Sequence, residues 1–319
     1  MRDFSVIDMH CDTVTALSRT KESFRNGDMH ISLEKMREGH YLMQCFAVFI
    51  RLKGTKHPFR KCNEFIDSFY RLMDENEDLI APVTTVKQIL ENQEKGLMSA
   101  LLTVEEGGTI EGDLEKLQYL YDRGVRMMTL TWNYPNELAY PNHMDRRPPR
   151  PDTRHGLTPK GFEVIEKMWD LGMIVDVSHL SDAGIYDVFK VARKPIVASH
   201  SNARGVQDFP RNLSDDMILK LKENGGIMGI NYCPDFISDS KENQIPDILR
   251  HIRYIRDLAG IETVALGSDF DGIPTPVGMS DCTKMNDLYE ALVSDGFSEK
   301  EIDMIFHENF LRVLRANEV

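Results

Sequence analysis

The chain has 319 residues, 41% of them hydrophobic, and a formal net charge of −13 at pH 7. That length fits one barrel-sized domain spanning residues 1–319, with a core large enough to exclude a disordered chain. So acidic a chain repels a phosphate backbone, which argues against a nucleic-acid partner. The cysteines Cys11, Cys45, Cys62, Cys233 and Cys282 are odd in number and contain no CxxC pair. Free thiols in a reducing compartment are expected, not a disulfide framework or a zinc ribbon. The opening MRDFSVIDMH has no long apolar core, and no stretch approaches the ~20 apolar residues of a membrane span. A cytoplasmic protein without membrane contact is the expectation.

Eight short apolar runs recur along the chain, at residues 5–11, 42–50, 100–105, 126–132, 173–178, 195–199, 226–232 and 264–268. Most show no polar alternation, as expected of strands buried on both faces of a parallel sheet. Between them, helical patterns occupy residues 61–76, 113–123, 159–171, 182–192, 214–224 and 246–258. Leu114, Leu117, Leu120 and Tyr121 share one helical face. Gly124, Gly172 and Gly225 stand where C-terminal caps belong, Ser181 and Ser214 where N-caps belong, and Pro159 suits a first helical turn. Eight strands alternating with helices predict a (β/α)8 TIM-type barrel with extended loops and C-terminal helices. The rival, an open doubly wound sheet, is weakened because no Gly-rich phosphate fingerprint follows the first strand. The long loop at residues 133–158 carries Arg146-Arg147-Pro148-Pro149-Arg150-Pro151. It should hang over the barrel mouth, as a lid, a subunit contact or a solvated excursion. Residues 285–319 read as two short helices.

Barrels of this type place chemistry at the C-terminal ends of their strands. The first strand ends in Asp8-Met9-His10-Cys11-Asp12, the third in Glu105-Glu106 and the fifth in Asp176-Val177-Ser178-His179. The sixth ends in His200 and the eighth in Asp269-Phe270-Asp271-Gly272. Period-two geometry puts His10 and Asp12 on one side and turns Cys11 away. That pair can grip one metal, His179 and His200 a second, and a carboxylate of the third strand can bridge them. Two metals roughly 3.5–4 Å apart would share a water or hydroxide. Nitrogen and oxygen ligands without thiolate suit zinc, with manganese and iron as alternatives. A single histidine at a strand end is ordinarily structural, but five ligand-type residues at corresponding positions require several coincidences. His30, His40, His57, His143, His155, His251 and His307 fall in loops or helices and are read as structural or surface residues, and Cys11 as packing.

At these residues the sequence resembles the membrane dipeptidase (renal dipeptidase-like) family of zinc metallopeptidases. The resemblance rests on the strand-end segments above, together with Leu102-Thr103-Val104-Glu105-Glu106-Gly107-Gly108, Ser199-His200-Ser201, Gly267-Ser268-Asp269-Phe270-Asp271-Gly272 and Gly156-Leu157-Thr158-Pro159. It runs nearly the whole chain. The resemblance implies two zinc ions, one on His10 and Asp12, the other on His179 and His200. It implies a bridging carboxylate at Glu105, with Glu106 as the alternative, and a catalytic aspartate at Asp269. An arginine for the substrate carboxylate falls at Arg211, while Arg204 lies off that register. One position departs: where mammalian members carry a histidine that contacts the scissile carbonyl, this chain has Trp132, which can donate one indole N–H but cannot act as an imidazolium.

The expected function is therefore hydrolysis of dipeptides by a metal-bridging hydroxide, with Asp269 shuttling the proton and Arg211 clamping the substrate carboxylate. The resemblance adds tolerance for a C-terminal D-residue and a homodimer. The alternatives are another binuclear barrel hydrolase (deaminase, lactonase or phosphotriesterase type), which would usually carry H-x-H on the first strand, and a non-catalytic metal-bearing binding protein.

Overall fold

The computed structural model describes residues 4–240 and 242–319. Nine parallel strands run in chain order: β1 (Val6–Cys11), β2 (Tyr41–Phe49), β3 (Ile80–Val83), β4 (Met98–Glu105), β5 (Met127–Thr129), β6 (Ile174–Asp176), β7 (Val197–Ala198), β8 (Ile227–Ile230) and β9 (Val264–Leu266). Eight of them close a barrel in the order β1-β2-β4-β5-β6-β7-β8-β9, with β9 pairing back to β1. Helices surround it, so the expected (β/α)8 architecture is the observed one.

The ninth strand, β3, has no counterpart in the sequence reading. It pairs with Met98–Leu101 of β4, whereas β5 pairs with Thr103–Glu105 of the same strand. β3 therefore fills the edge of β4 below the point where β5 begins. Its Pro82 cannot donate to a ladder and is tolerated on this outer strand. Several predicted strands are also shorter than their apolar runs. The run at residues 126–132 yields only Met127–Thr129, because Leu130 and Thr131 stay buried after leaving the ladder.

An apolar residue from every barrel strand points inward: Ile7, Met43, Leu101, Met127, Ile174, Val197, Ile227 and Ala265 form a ring. Phe310, Val313 and Leu314 of the last helix, Asn309–Asn317, complete this inner core. That helix is anchored by Asn309 to the carbonyl of Val264 and by Asn317 to that of Pro195, at the N-terminal ends of β9 and β7. It plugs the bottom of the barrel and leaves the opposite face for chemistry. The C-terminal region holds more than two helices: Met285–Ser294, Glu299–Asp303 and Asn309–Asn317, with a π-turn at Met304–Glu308.

The predicted caps are in place. Ser181 and Ser214 accept from the N–H groups of Gly184 and Met217, and Pro159 opens its helix behind Thr158. Gly172 ends that helix at φ +81°, a conformation that costs other residues free energy. The long loop folds back onto the barrel through Asn142, whose amide donates to Asp182 Oδ1 (3.0 Å) and to the Pro210 carbonyl (2.7 Å). Its Arg-Pro tip is largely exposed, as are Tyr140 and residues 153–155. Among the described residues no helix is long and apolar enough to cross a membrane.

A candidate metal centre at the barrel mouth

β1 loses its regular pairing between Asp8 and Cys11. The irregularity lets Met9 face the inner core while His10, next in sequence, turns to the mouth. Asp12 follows just beyond the strand, Glu105 ends β4, His179 follows β6 by one turn, and His200 and Asp269 follow β7 and β9. The structure brings all of them together. His10 Nε2 lies 3.6 Å from Glu105 Oε2, 3.7 Å from Asp12 Oδ2 and 3.9 Å from Asp269 Oδ1. His179 Nε2 lies 3.0 Å from Glu105 Oε1, and His200 Nε2 lies 3.8 Å from the same oxygen. Glu105 thus turns one carboxylate oxygen to each side.

The hydrogen bonds around the two later histidines fix their tautomers. Ser199 Oγ spends its one hydrogen on Asp176 Oδ2 (2.5 Å), so it accepts from His200 Nδ1–H (2.7 Å). Asn133 Oδ1, an acceptor only, takes His179 Nδ1–H (3.0 Å). Both histidines therefore present Nε2 lone pairs, and these face each other at 2.9 Å. Two lone pairs that close, beside a carboxylate, repel unless a cation lies among them. Burial, reinforced by Arg211, holds both imidazoles well below their usual range, in the neutral form a metal requires. Around His10, its own Nε2 and Asp12 Oδ1 are buried with no hydrogen-bond partner. Burial opposes protonation of His10, but Asp12, Glu105 and Asp269 outweigh it and raise the imidazole to about 10. Burial pushes the Glu105 carboxyl well up and Asp269 to about 6, both reinforced by Asp12. This collection of orphaned ligand atoms and crowded carboxylates fits divalent cations.

A second layer holds the first, and the sequence reading assigned it no role. Asp176 accepts from Ser199 and from the N–H of Ser178, while Asp8 is bonded in the same way by the hydroxyl and N–H of Ser268 and by the N–H of His10. Asn231, at the end of β8, donates to Asp269 Oδ2 (2.9 Å) and leaves Oδ1 toward His10. Such partners typically set ligand orientation and basicity. Ser199→Ala removes the acceptor of His200 Nδ1–H. It should weaken metal binding by about ten- to a hundredfold, read by competition with a chelator. Unchanged affinity would remove the serine from this role. His179 and Asp269 also adopt left-handed backbone, at φ 68° and 64°. Gly272 allows the chain to press close here, since a Cβ at that position would lie 2.0 Å from Asp12 Oδ2.

The other predicted residues separate cleanly. Glu106 turns away from the histidines and accepts from Gly108 N–H, Trp132 N–H and Asn136 Nδ2. Arg204 is spent on a two-pronged pair with Asp182 (2.7 and 2.8 Å). Arg211 is 4% exposed, donates to the His200 carbonyl (3.2 Å) and has an unpartnered Nε. It is not itself part of the cavity lining; its guanidinium packs against the ring of Phe236, which is, at 5.5 Å. Trp132 is part of that lining, packed against Phe49 at 5.0 Å between ring centroids. Cys11 is buried in the outer core.

A parallel barrel with imidazoles and carboxylates converging above its strands defines a metal-dependent hydrolase. The model of the membrane dipeptidase family (peptidase family M19) matches residues 1–319, and the chain belongs to that family. Among its curated relatives, an uncharacterised dipeptidase of Schizosaccharomyces pombe is 34% identical over 314 residues, covering 93% of this chain and 74% of that one. Dipeptidase AclJ of Aspergillus oryzae is 32% identical over 296 residues, 89% of this chain and 69% of that one. Among solved structures, dipeptidase AC, described as a metallopeptidase of family M19, superposes with a TM-score of 0.92 at 26% identity, covering 99% of each chain. A metallopeptidase of Rhodobacter sphaeroides, solved with a phosphinate mimic of L-Ala-D-Ala, shares the fold at a TM-score of 0.91 and 24% identity, over 99% of this chain and 100% of that one.

Proposed function

We propose that this protein is a binuclear metal-dependent dipeptidase, with zinc as the metal and residues 1–319 as the catalytic unit. The observation that carries the reading is Glu105 standing between two histidine sites, with the Nε2 atoms of His179 and His200 converging at 2.9 Å. His10 and Asp12 would hold one ion and His179 and His200 the other, with Glu105 shared. When bound, the ions would acidify a water and polarise the scissile carbonyl. Asp269, with Oδ2 tied to Asn231, takes the proton of the attacking water on Oδ1 and returns it to the leaving amine nitrogen. Arg211 holds the substrate α-carboxylate through its planar fork, which limits substrates to very short peptides. Trp132 shapes the wall where the carbonyl sits.

The proposal includes tolerance for a C-terminal D-residue and a homodimer, both carried over from the family resemblance. It also includes a cytoplasmic location, for which the five buried free thiols speak. A panel of dipeptides with L- and D-residues at the C-terminal position, assayed with and without chelator, tests the reaction. Cleavage that stops on chelation and returns with zinc is expected. Turnover of a lactone or phosphotriester with none of any dipeptide would overturn it, and sedimentation analysis decides the dimer.

A further inference from the structure

The cavity over the metal centre has a volume of about 300 Å³ and two chemically different ends. Asp12, Glu105, His179 and Asp269 form the inner one. The remaining wall includes Arg19, Phe49, Ile273 and Pro274, with Asp271, whose carboxylate is taken up by Thr13 Oγ1 and the N–H of His30; among the described residues Arg19 is the only arginine or lysine on it. A second cleft of about 230 Å³ opens on the same Arg19 and Phe49 and continues to Arg51 and Lys61. Arg19 therefore stands at the junction of two clefts. Lys61 is already paired with Glu64 at 3.0 Å. Among the described residues, neither Arg19 nor Arg51 has a carboxylate within the 4.0 Å of an ion pair. Arg19 thus brings an unpaired guanidinium to the wall of the reaction cavity, and Arg51 brings another to the adjoining cleft.

We propose that the preferred substrates carry an acidic side chain, Asp or Glu, whose carboxylate is received by Arg19. This rests on the dipeptidase reading. The substrate's α-carboxylate is assigned to Arg211, which packs behind the cavity residue Phe236, and the inner carboxylates repel a further anion. The outer end, where a guanidinium stands among Phe49, Ile273 and Pro274, is the place left for a second negative charge. Apolar neighbours reduce competition from water, and a planar fork matches a carboxylate. A local positive group also offsets the general repulsion that a chain of net charge −13 exerts on an anionic dipeptide.

The test compares kcat/KM for Ala-Glu against Ala-Gln and for Glu-Ala against Gln-Ala, with L- and D-residues at the second position. Wild type, Arg19→Gln and Arg19→Lys are measured at low and high salt. Wild type is expected to favour Glu over Gln about tenfold in at least one pair. Arg19→Gln should lose most of that ratio, Arg19→Lys should keep part of it, and added salt should shrink it in wild type because Arg19 is exposed. Cleavage of the Gln peptides with no preference for Glu, or a preference that survives Arg19→Gln, overturns the assignment and leaves the dipeptidase reading standing. Failure to cleave any of the peptides overturns both.

Discussion

Asp269→Asn is expected to lower kcat by about 10²–10⁴-fold, the usual contribution of a positioned general acid–base group. The substitution keeps the size of the side chain, and an amide oxygen can still accept from Asn231 as Oδ2 does now at 2.9 Å. What disappears is the capacity to take a proton on Oδ1, the atom that faces His10. Metal content should stay near wild type, because the ligands assigned to the two ions are His10, Asp12, Glu105, His179 and His200. Steady-state kinetics on a dipeptide, combined with metal analysis of the same preparation, separates loss of the shuttle from loss of the ions. A variant that retains near-full kcat with full metal would show that the proton travels by another route.

The adjacent glutamates should respond in opposite ways. Glu105→Gln removes the charge shared by both sites and is expected to lower kcat/KM by at least roughly 10²–10³-fold, with a fall in bound metal. Glu106→Gln should act on stability instead. Glu106 is fully buried and receives three donors, so an amide in its place sets an N–H against one of them. A buried group left unsatisfied in this way costs about 1–3 kcal/mol, which thermal or denaturant unfolding would register while metal stoichiometry holds. Equal metal loss in the two variants would contradict the division of roles.

These contrasts show what a sequence exposes and what it hides. The barrel was legible because its strands are buried on both faces and read as unbroken apolar runs, punctuated by caps at Ser181, Ser214 and Gly172. β3 was not legible: four residues, one of them Pro82 and only the two end residues buried, resemble a loop. The candidate ligands were legible because each ends or follows a strand and matches a family segment. The second layer was not. Asp176 meets Ser199 across 23 residues and Asp8 meets Ser268 across 260, and neither helical nor strand periodicity marks such a pairing. Asn133 and Asn231 carry no periodic signal either, although Asn231 directly follows β8, where a polar residue has to be accounted for. The neighbouring glutamates needed the fold: only the turn at Glu106, with φ 92°, sends one carboxylate to the histidines and the other into backbone N–H groups.

The seam between β1 and β9 has a consequence for assembly. Asp8 and Ser268 join across it, and the N–H of Asp269 donates to the His10 carbonyl at 3.1 Å. The two ends of the barrel therefore meet at the wall of the active site. Contacts so distant in sequence bear the largest loop-closure cost and tend to form late. A chain emerging from synthesis would own His10, Asp12, Glu105, His179 and His200 long before it owned the strand that finishes the cage around them. Tight metal capture would then mark the moment the ring shuts, and a product truncated before β9 would carry every proposed ligand yet lack the enclosure that makes them a site.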